Sequence, residues 1–322
     1  MPEPTREELY ARSSGLIENG VLANRRVLII GLGSFGGTIA VELAKAAVGE
    51  FAILDFDKLE VHNVVRHACS IKDVGRFKTD AVEDLILSKN PYAKVEKFQT
   101  DVLKEPDCVA REIAKADLVI VATDNNDSRF LINRLLIEHG KIGIYGRANT
   151  RAEGGDVFIQ RPGGPCYGCL VGNVSFDQSA EEVSSEAAGR RSGKIAAYTS
   201  PEEASAMVQV GLSCDIAPIT NLMVKLALVE LSRGAASGLS ALEDELVYDY
   251  WMWANRRERR FANWSPLPKS GNMPTILRWY GARIKRCETC ASCGTRVSLD
   301  EGASLPHFDT TGDEDINVNL NI

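Results

Sequence analysis

Gly31 to Asp57, GLGSFGGTIAVELAKAAVGEFAILDFD, is the stretch from which the rest of the chain is read. Just before it, Val27, Leu28, Ile29 and Ile30 form a short apolar, β-branched run, the pattern of a buried parallel strand. Gly31, Gly33 and Gly36 then give G-x-G-x-x-G. Ile39, Val41, Leu43, Ala44 and Ala47 supply the apolar face of a helix, and Gly49 follows as a stop signal. A second strand over 51–54 ends on Asp55. Strand, glycine turn, helix and strand together read as a nucleotide site. The glycines let the backbone approach phosphates, the helix N-terminus favours anionic charge, and Asp55 is placed to accept from ribose hydroxyls. The fingerprint does not name the nucleotide. Its commoner use is for NAD or FAD, and the plainer alternative is that the glycines serve only a tight turn.

A chain of 322 residues, 44% apolar and 25% charged, has the composition of a soluble globular protein and is long enough for a sizeable core. No apolar run reaches the length of a bilayer-spanning helix, and the opening MPEPTREE is polar and acidic, unlike a secretory leader. The expectation is a cytoplasmic protein with no membrane partner. A net charge of −7 argues against nucleic acid, although Arg256, Arg257, Arg259 and Arg260 form a local basic patch. Eight cysteines, clustered and without a leader, point to reduced thiols and metal rather than disulfides.

Residues 1–25 read as an N-terminal helical segment, with Leu9, Tyr10, Leu16, Ile17, Val21 and Leu22 at partly helical spacing. Within it, spacing alone makes Arg12 a solvated surface residue. The irregular stretch from Lys58 to Lys78 holds His62, Asn63, Arg66, His67, Arg76 and Lys78, and reads as a functional loop. Asn63, Arg66 and Lys78 have the chemistry to bind a triphosphate, although each singly fits a solvated loop. A helix over 78–88 ends at Asn90-Pro91, and 95–98 reads as an edge strand. DLVIVATD, 117–124, is the third strong strand and carries Asp124 to the carboxyl edge of a parallel sheet, where ligands bind. Asp124 there suits Mg²⁺ or the capping of the helix over 128–139, for which Asn125, Asn126 and Asp127 are further caps. Short strands follow at 142–145 and 157–160.

Cys166 and Cys169 form one C-x-x-C, and Cys287, Cys290 and Cys293 form two overlapping ones. Two distant knuckles point to a tetrahedral Zn²⁺ held by four thiolates, with a redox pair as the lesser alternative. Cys290 and Cys293 are preferred because Gly294 closes a tight C-x-x-C-G turn, with Cys287 as the substitute. Residues 171–208 read as a mobile loop and 213–231 as a long apolar helix that Pro218 either kinks or delays. Cys214 near its start is either a nucleophile or a small buried residue, and the neighbouring Leu212, Ile216 and Ile219 favour burial. A late strand is expected over 245–250. Residues 250–284 hold all four tryptophans among several arginines, and packing over the sheet or against a protein partner suits them better than nucleic acid. The tail over 299–322 reads as disordered.

In chain order, GLGSFG, LDFDKLEVHNVVRH, DVGRFK, VATDNNDSR, PCYGC and CASCG resemble the MoeB/ThiF family and the adenylation domain of ubiquitin-activating enzymes. The resemblance covers roughly residues 25–295 and implies ATP in place of a dinucleotide. It implies an α/β, Rossmann-like, doubly wound and mostly parallel sheet with a C-terminal antiparallel extension and a four-cysteine zinc site. It places a ThiF-type domain over 26–298, with 171–208 as its crossover loop and 250–284 as a Trp/Arg-rich insertion. The nucleotide set it implies is Gly31, Gly33, Gly36, Asp55, Asp57, Asn63, Arg66, Lys78 and Asp124. Asp124 would hold Mg²⁺, Arg12 would reach the other subunit's ATP in a homodimer, and Cys166, Cys169, Cys290 and Cys293 would hold a structural Zn²⁺. The implied reaction is attack on the α-phosphate by the C-terminal carboxylate of a ubiquitin-like protein or peptide, giving an acyl-adenylate and pyrophosphate. Two departures stand out: His67 occupies a position where the family usually has glutamine, and no cysteine lies within 171–208. The competing readings are an NAD-dependent oxidoreductase and a catalytically silent binding scaffold.

Overall fold

The computed structural model describes residues 4–173, 189–190, 195–196, 199–200, 210–257 and 275–295. Most of the stretch expected to be a mobile loop, the middle of the Trp/Arg-rich segment and the whole expected tail lie outside them. The chain opens with two one-turn helices, α1 (Arg6–Leu9) and α2 (Asn19–Leu22). An alternating run follows: β1 (Arg26–Ile30), α3 (Ser34–Lys45), β2 (Glu50–Leu54), α4 (Lys78–Lys89), β3 (Lys94–Phe98), α5 (Pro106–Lys115), β4 (Leu118–Val121) and α6 (Asn126–His139). Then come β5 (Ile142–Ala148), β6 (Gly154–Gln160), α7 (Tyr167–Asn173), α8 (Ser213–Ser232), β7 (Tyr250–Ala254) and β8 (Arg278–Ala282).

The strands form one eight-stranded sheet in the order β3-β2-β1-β4-β5-β6-β7-β8. The first five are parallel, and β6, β7 and β8 add on antiparallel. This is the doubly wound sheet with an antiparallel extension that the sequence implied. Both ends of the segment read as an insertion over 250–284 are strands of that sheet.

Strand alternation sends each β1 residue to one of two cores. Val27 and Ile29 pack with Phe51, Ile53, Leu118 and Ile120 under α3, α4 and α8. Leu28 and Ile30 pack with Ala52, Leu54, Val119 and Val121 under α5, α6 and α7. A strand buried on both faces has no polar side, which is why β1 and β4 are uninterrupted apolar runs. Alternation of βα units puts the helices on both faces.

Several boundaries moved. α3 stops at Lys45, four residues before the stop signal at Gly49, and Ala47 between them takes the left-handed conformation (φ 68°). The late strand is 250–254, not 245–250: the aromatic run YWMWA pairs with β6, whereas Glu245 and Val247 lie before it in a turn. α8 runs from Ser213 straight through Pro218, whose missing N–H falls close enough to the start to be tolerated. Among the described residues no helix is long and apolar enough to cross a membrane.

Leu28 and Ile29 are fully buried on opposite faces of β1. Each truncation to alanine should cost about 2–5 kcal/mol. Urea unfolding of Leu28→Ala and Ile29→Ala should show comparable losses, and a near-neutral result for either would remove that face from the core.

Candidate functional site

The site lies at the carboxyl ends of β1, β2 and β4. Gly31 leaves β1 at φ 89°, and a Cβ there would sit 2.7 Å from the Ala122 carbonyl oxygen just beyond β4. A Cβ at Gly36 would lie 1.8 Å from the Gly31 carbonyl oxygen. Neither position tolerates a side chain, so the first turn of α3 packs directly on the strand it follows. Gly33 caps α3 without any side-chain hydrogen bond, so the first-turn N–H groups present the positive end of the helix dipole to the sheet edge.

Asp55, buried at the tip of β2, faces this turn. Its Oδ2 accepts from the Leu32 N–H at 2.7 Å and its Oδ1 from the Asp57 N–H at 2.8 Å. Each oxygen keeps a second lone pair for a further donor. Burial pushes the Asp55 carboxyl up, against the pull of Lys78 and the two amides.

The segment after Asp57 closes on itself. Leu59 N–H donates to the Arg76 carbonyl oxygen at 2.8 Å and Lys78 N–H to the Asp57 carbonyl oxygen at 3.0 Å, which returns the chain to its starting point. Lys78 thus begins α4 beside the acids, its Nζ 3.0 Å from Asp57 Oδ2 and 3.9 Å from Asp55 Oδ1. Burial acts to lower the Lys78 ammonium, but Asp55, Asp57 and Asp124 outweigh it and hold the group above its ordinary value. The lysine therefore stays charged between three carboxylates.

Asp124 follows β4 on the same edge and is exposed. Asn125, not Asp124, caps α6, accepting from Ser128 N–H at 2.8 Å. Among the described residues Asp124 receives a single long 3.5 Å hydrogen bond, from Asn125 Nδ2, which leaves its exposed carboxylate with lone pairs for a cation. Beside it, Thr123 Oγ1 is buried and lacks a partner among the described residues.

Asn63 and Arg66 join through one turn. Arg66 and His67 N–H groups both donate to the Asn63 carbonyl oxygen at 3.0 Å. His67 is buried; its Nδ1 accepts from Cys69 N–H at 3.1 Å, and its Nε2 stands 2.6 Å from the Leu32 carbonyl oxygen. The bond from Cys69 assigns the ring proton to Nε2 and makes the imidazole neutral. Burial pulls its pKa below the ordinary value.

Arg12 does not join this group in one chain. It is exposed, two residues after Tyr10, whose hydroxyl donates to the Ala44 carbonyl oxygen. That anchor lies roughly 15 Å along α3 from the glycine turn.

The two C-x-x-C units meet. Cys166 Sγ lies 3.8 Å from Cys169 Sγ and 3.6 Å from Cys290 Sγ, and Cys169 Sγ lies 3.4 Å from Cys293 Sγ. All four sulfurs fall within 4.8 Å of one another. A tetrahedral Zn²⁺ with bonds of about 2.3 Å separates its sulfurs by about 3.8 Å, so the set fits the ion. Burial pushes the Cys166 thiol up, a cost that a divalent cation offsets. Cys287 stands outside the set, its Sγ 3.2 Å from Thr289 Oγ1. Gly294 is required as the sequence suggested, since a Cβ there would lie 2.5 Å from the Glu288 carbonyl oxygen.

Cys214 is exposed, contrary to the expected burial. Ile216 and Ile219 face inward from α8, whereas Cys214, two residues before Ile216, points off that face, and Leu212 is exposed as well.

Two residues here are not among the candidates read from the sequence. Tyr167, between the first pair of cysteines, donates its hydroxyl to Asn126 Oδ1 at 2.9 Å and stacks on Tyr145, tying the cysteine cluster to the start of α6. Arg129, buried on α6, donates to the Thr123 carbonyl oxygen at 2.6 Å. Their position inside PCYGC and VATDNNDSR was the available signal.

The family model described as ThiF family matches residues 12–250. The adenylyltransferase and sulfurtransferase MOCS3 of Dictyostelium discoideum is 32% identical over 177 residues, 52% of this chain and 40% of that protein. The molybdopterin-synthase adenylyltransferase of Escherichia coli is 34% identical over 151 residues, 46% of this chain and 59% of that protein. The chain thus spans less than two thirds of these relatives. Among solved structures, Escherichia coli MccB superposes with a TM-score of 0.63 at 18% identity, over 95% of this chain and 76% of that one. Its ATP-containing structure gives a TM-score of 0.58 at 18% identity, over 86% of this chain and 68% of that one.

Two outcomes follow from this geometry. Metal analysis should find about one Zn²⁺ per chain, kept in Cys287→Ser and lost in the Cys166→Ser, Cys169→Ser double variant; the reverse pattern would reassign the ligands. The depressed His67 pKa means that its stabilisation is full above about pH 6.5, the value for the unfolded chain, and is lost as pH falls toward the folded value. By calorimetry, the Tm advantage of the wild-type chain over His67→Gln should shrink from pH 8 to pH 5. A constant difference would contradict the assignment.

Proposed function

This chain belongs to the ThiF family, and from that premise we propose that it is an ATP- and Mg²⁺-dependent adenylyltransferase acting on a carboxylate. The observation that carries the proposal is the convergence of the glycine turn, Asp55, Lys78 and Asp124 on one sheet edge. A buried lysine held charged among acids has little use in hydride transfer, whereas a triphosphate needs it. The ATP-containing structure of the fold neighbour MccB supports the same choice of nucleotide.

In this reading the first-turn N–H groups of α3 receive phosphate oxygens, and Asp55 accepts from the ribose hydroxyls through its remaining lone pairs. Gly31, Gly33 and Gly36 keep side chains out of the way, and Asp57 orients Lys78 until the phosphates take over that role. Asn63 and Arg66 reach the triphosphate from the loop. Asp124 would hold Mg²⁺, which supplies charge neutralisation at the phosphates. A substrate carboxylate oxygen bonds to the α-phosphorus while the bond to the bridging oxygen of the β-phosphate breaks, and pyrophosphate leaves. Two anions approach in that step, so Lys78 and Arg66 lower the barrier by matching the charge that gathers there.

We assign the substrate as the C-terminal carboxylate of a ubiquitin-like protein or a peptide, released as an acyl-adenylate. The MOCS3 and molybdopterin-synthase relatives support adenylation, and the MccB structure with N-formylated MccA makes a peptide substrate an equal candidate. The working assembly is a cytoplasmic homodimer in which Arg12 of each protomer serves the other's ATP. The anchoring of Tyr10, two residues before Arg12, to the far end of α3 from this chain's own glycine turn supports that placement.

ATP–pyrophosphate exchange with a Gly-Gly-ending protein or a short peptide should fall at least about a hundredfold in Asp124→Ala. Full exchange in that variant would end the reading. Arg12→Ala should be equally inactive alone, yet mixing it with Asp124→Ala should restore some activity through hybrid dimers. A fully active monomer in sedimentation would remove the second protomer from the site.

A further inference from the structure

We infer that His67 is a positioning residue for nucleotide binding, fixing the glycine turn and the loop that carries Asn63 and Arg66 in one register. The inference deepens the adenylation reading and rests on it. Leu32, the residue between Gly31 and Gly33, has both backbone polar groups held by side chains. Its N–H donates to Asp55 Oδ2 at 2.7 Å, and its carbonyl oxygen accepts from His67 Nε2 at 2.6 Å. The two clamps come from different elements, Asp55 from the end of β2 and His67 from the irregular loop. The two peptide planes that meet at the Leu32 Cα are thus each held by one side chain, which restrains both, so the N–H groups after them keep their aim at the sheet edge.

The same ring fixes the loop. His67 Nδ1 accepts from Cys69 N–H, and the His67 backbone N–H donates to the Asn63 carbonyl oxygen, so the residue is tied to the chain on both sides of itself, by its ring to Cys69 and by its backbone to Asn63. Arg66 is its immediate neighbour, and Asn63 begins its turn. The imidazole thus sets how far the two loop side chains stand from the first turn of α3. Without it, the loop would meet the glycine turn through no other hydrogen bond to Leu32 among the described residues.

Gly37 is the independent sign that this ring belongs here. It lies outside the G-x-G-x-x-G pattern, in the first turn of α3, and its backbone angles demand no glycine. A Cβ at that position would lie 3.2 Å from His67 Cε1 and 3.5 Å from its Nε2. That first distance is shorter than ordinary carbon contacts, so an alanine there must shift the ring by a few tenths of an ångström, enough to disturb the 2.6 Å approach of Nε2 to the Leu32 carbonyl oxygen. Glycine at position 37 makes room for the imidazole, and the imidazole needs that room to reach its acceptor.

The test is calorimetric titration of the full chain with Mg·ATP, with hydrogen exchange followed over residues 31–37. His67→Ala should bind ATP roughly tenfold more weakly, the loss of about one net hydrogen bond, and should expose the turn to faster exchange. His67→Gln, whose amide can still donate to the Leu32 carbonyl, should keep affinity within about threefold. Gly37→Ala should weaken binding in the wild-type chain and add nothing in the His67→Ala background, where no ring remains to be displaced. If His67→Ala melts below the assay temperature, Gly37→Ala and His67→Gln carry the comparison, since neither removes the ring's packing volume. Unchanged exchange in Gly37→Ala would overturn the clamp. A loosened turn with wild-type ATP affinity would overturn its role in nucleotide binding. Failure of the wild-type chain to bind ATP, with the turn protected as expected, would overturn the adenylation reading and this role with it.

Discussion

The first turn of α3 rests on the backbone of Gly31 so closely that a single carbon at position 36 would lie 1.8 Å from the Gly31 carbonyl oxygen. Everything at the sheet edge depends on that approach. It aims the uncapped start of a 12-residue helix at the carboxyl ends of β1, β2 and β4, and lets Leu32 N–H reach the carboxylate at the tip of β2. It also sets β1 against β4, whose continuation carries Asp124. A side chain at 31 or 36 would separate these elements, and the charged groups would no longer share one sheet edge.

The electrostatics follow from burial. Asp55 and Lys78 are both buried, and each alone would be costly to ionise there. Asp55, Asp57 and Asp124 outweigh the burial of Lys78, so the lysine keeps its proton while no anion is bound. Such an arrangement has more negative than positive side-chain charge and suits a ligand that arrives with a divalent cation. The cysteine cluster plays a different part. It joins α7 to the segment after β8, and through the Tyr167 hydroxyl reaches the start of α6, the link from this extension to the parallel half.

The parallel half was legible because its physics is local. Double burial writes strands as apolar runs, and close approach writes turns as glycine. The knuckle ligands were legible because only Gly294 lets its turn close. The remainder depended on contacts between distant residues. Gly49 is a stop signal by composition, yet α3 ends at Lys45 and the left-handed residue after it is Ala47, a position that carries no glycine to mark it. β7 was placed too early because its register is set by pairing with β6, not by its own alternation. The burial expected of Cys214 treated its apolar neighbours as companions, although helical geometry sends them to another face. His67 is the clearest case: a side chain bonded to one backbone carbonyl and one backbone N–H leaves no periodic signature, and its partner Gly37 hides as one more glycine in a glycine-rich turn.

The claim on which the account stands is that this glycine turn holds a nucleoside triphosphate and not a dinucleotide. Parallel calorimetric titrations of the purified chain with Mg·ATP and with NAD⁺ address it most directly. The account predicts saturable binding of Mg·ATP that is lost on Lys78→Ala, with no heat above dilution for NAD⁺. Tight NAD⁺ binding with no response to Mg·ATP would contradict it.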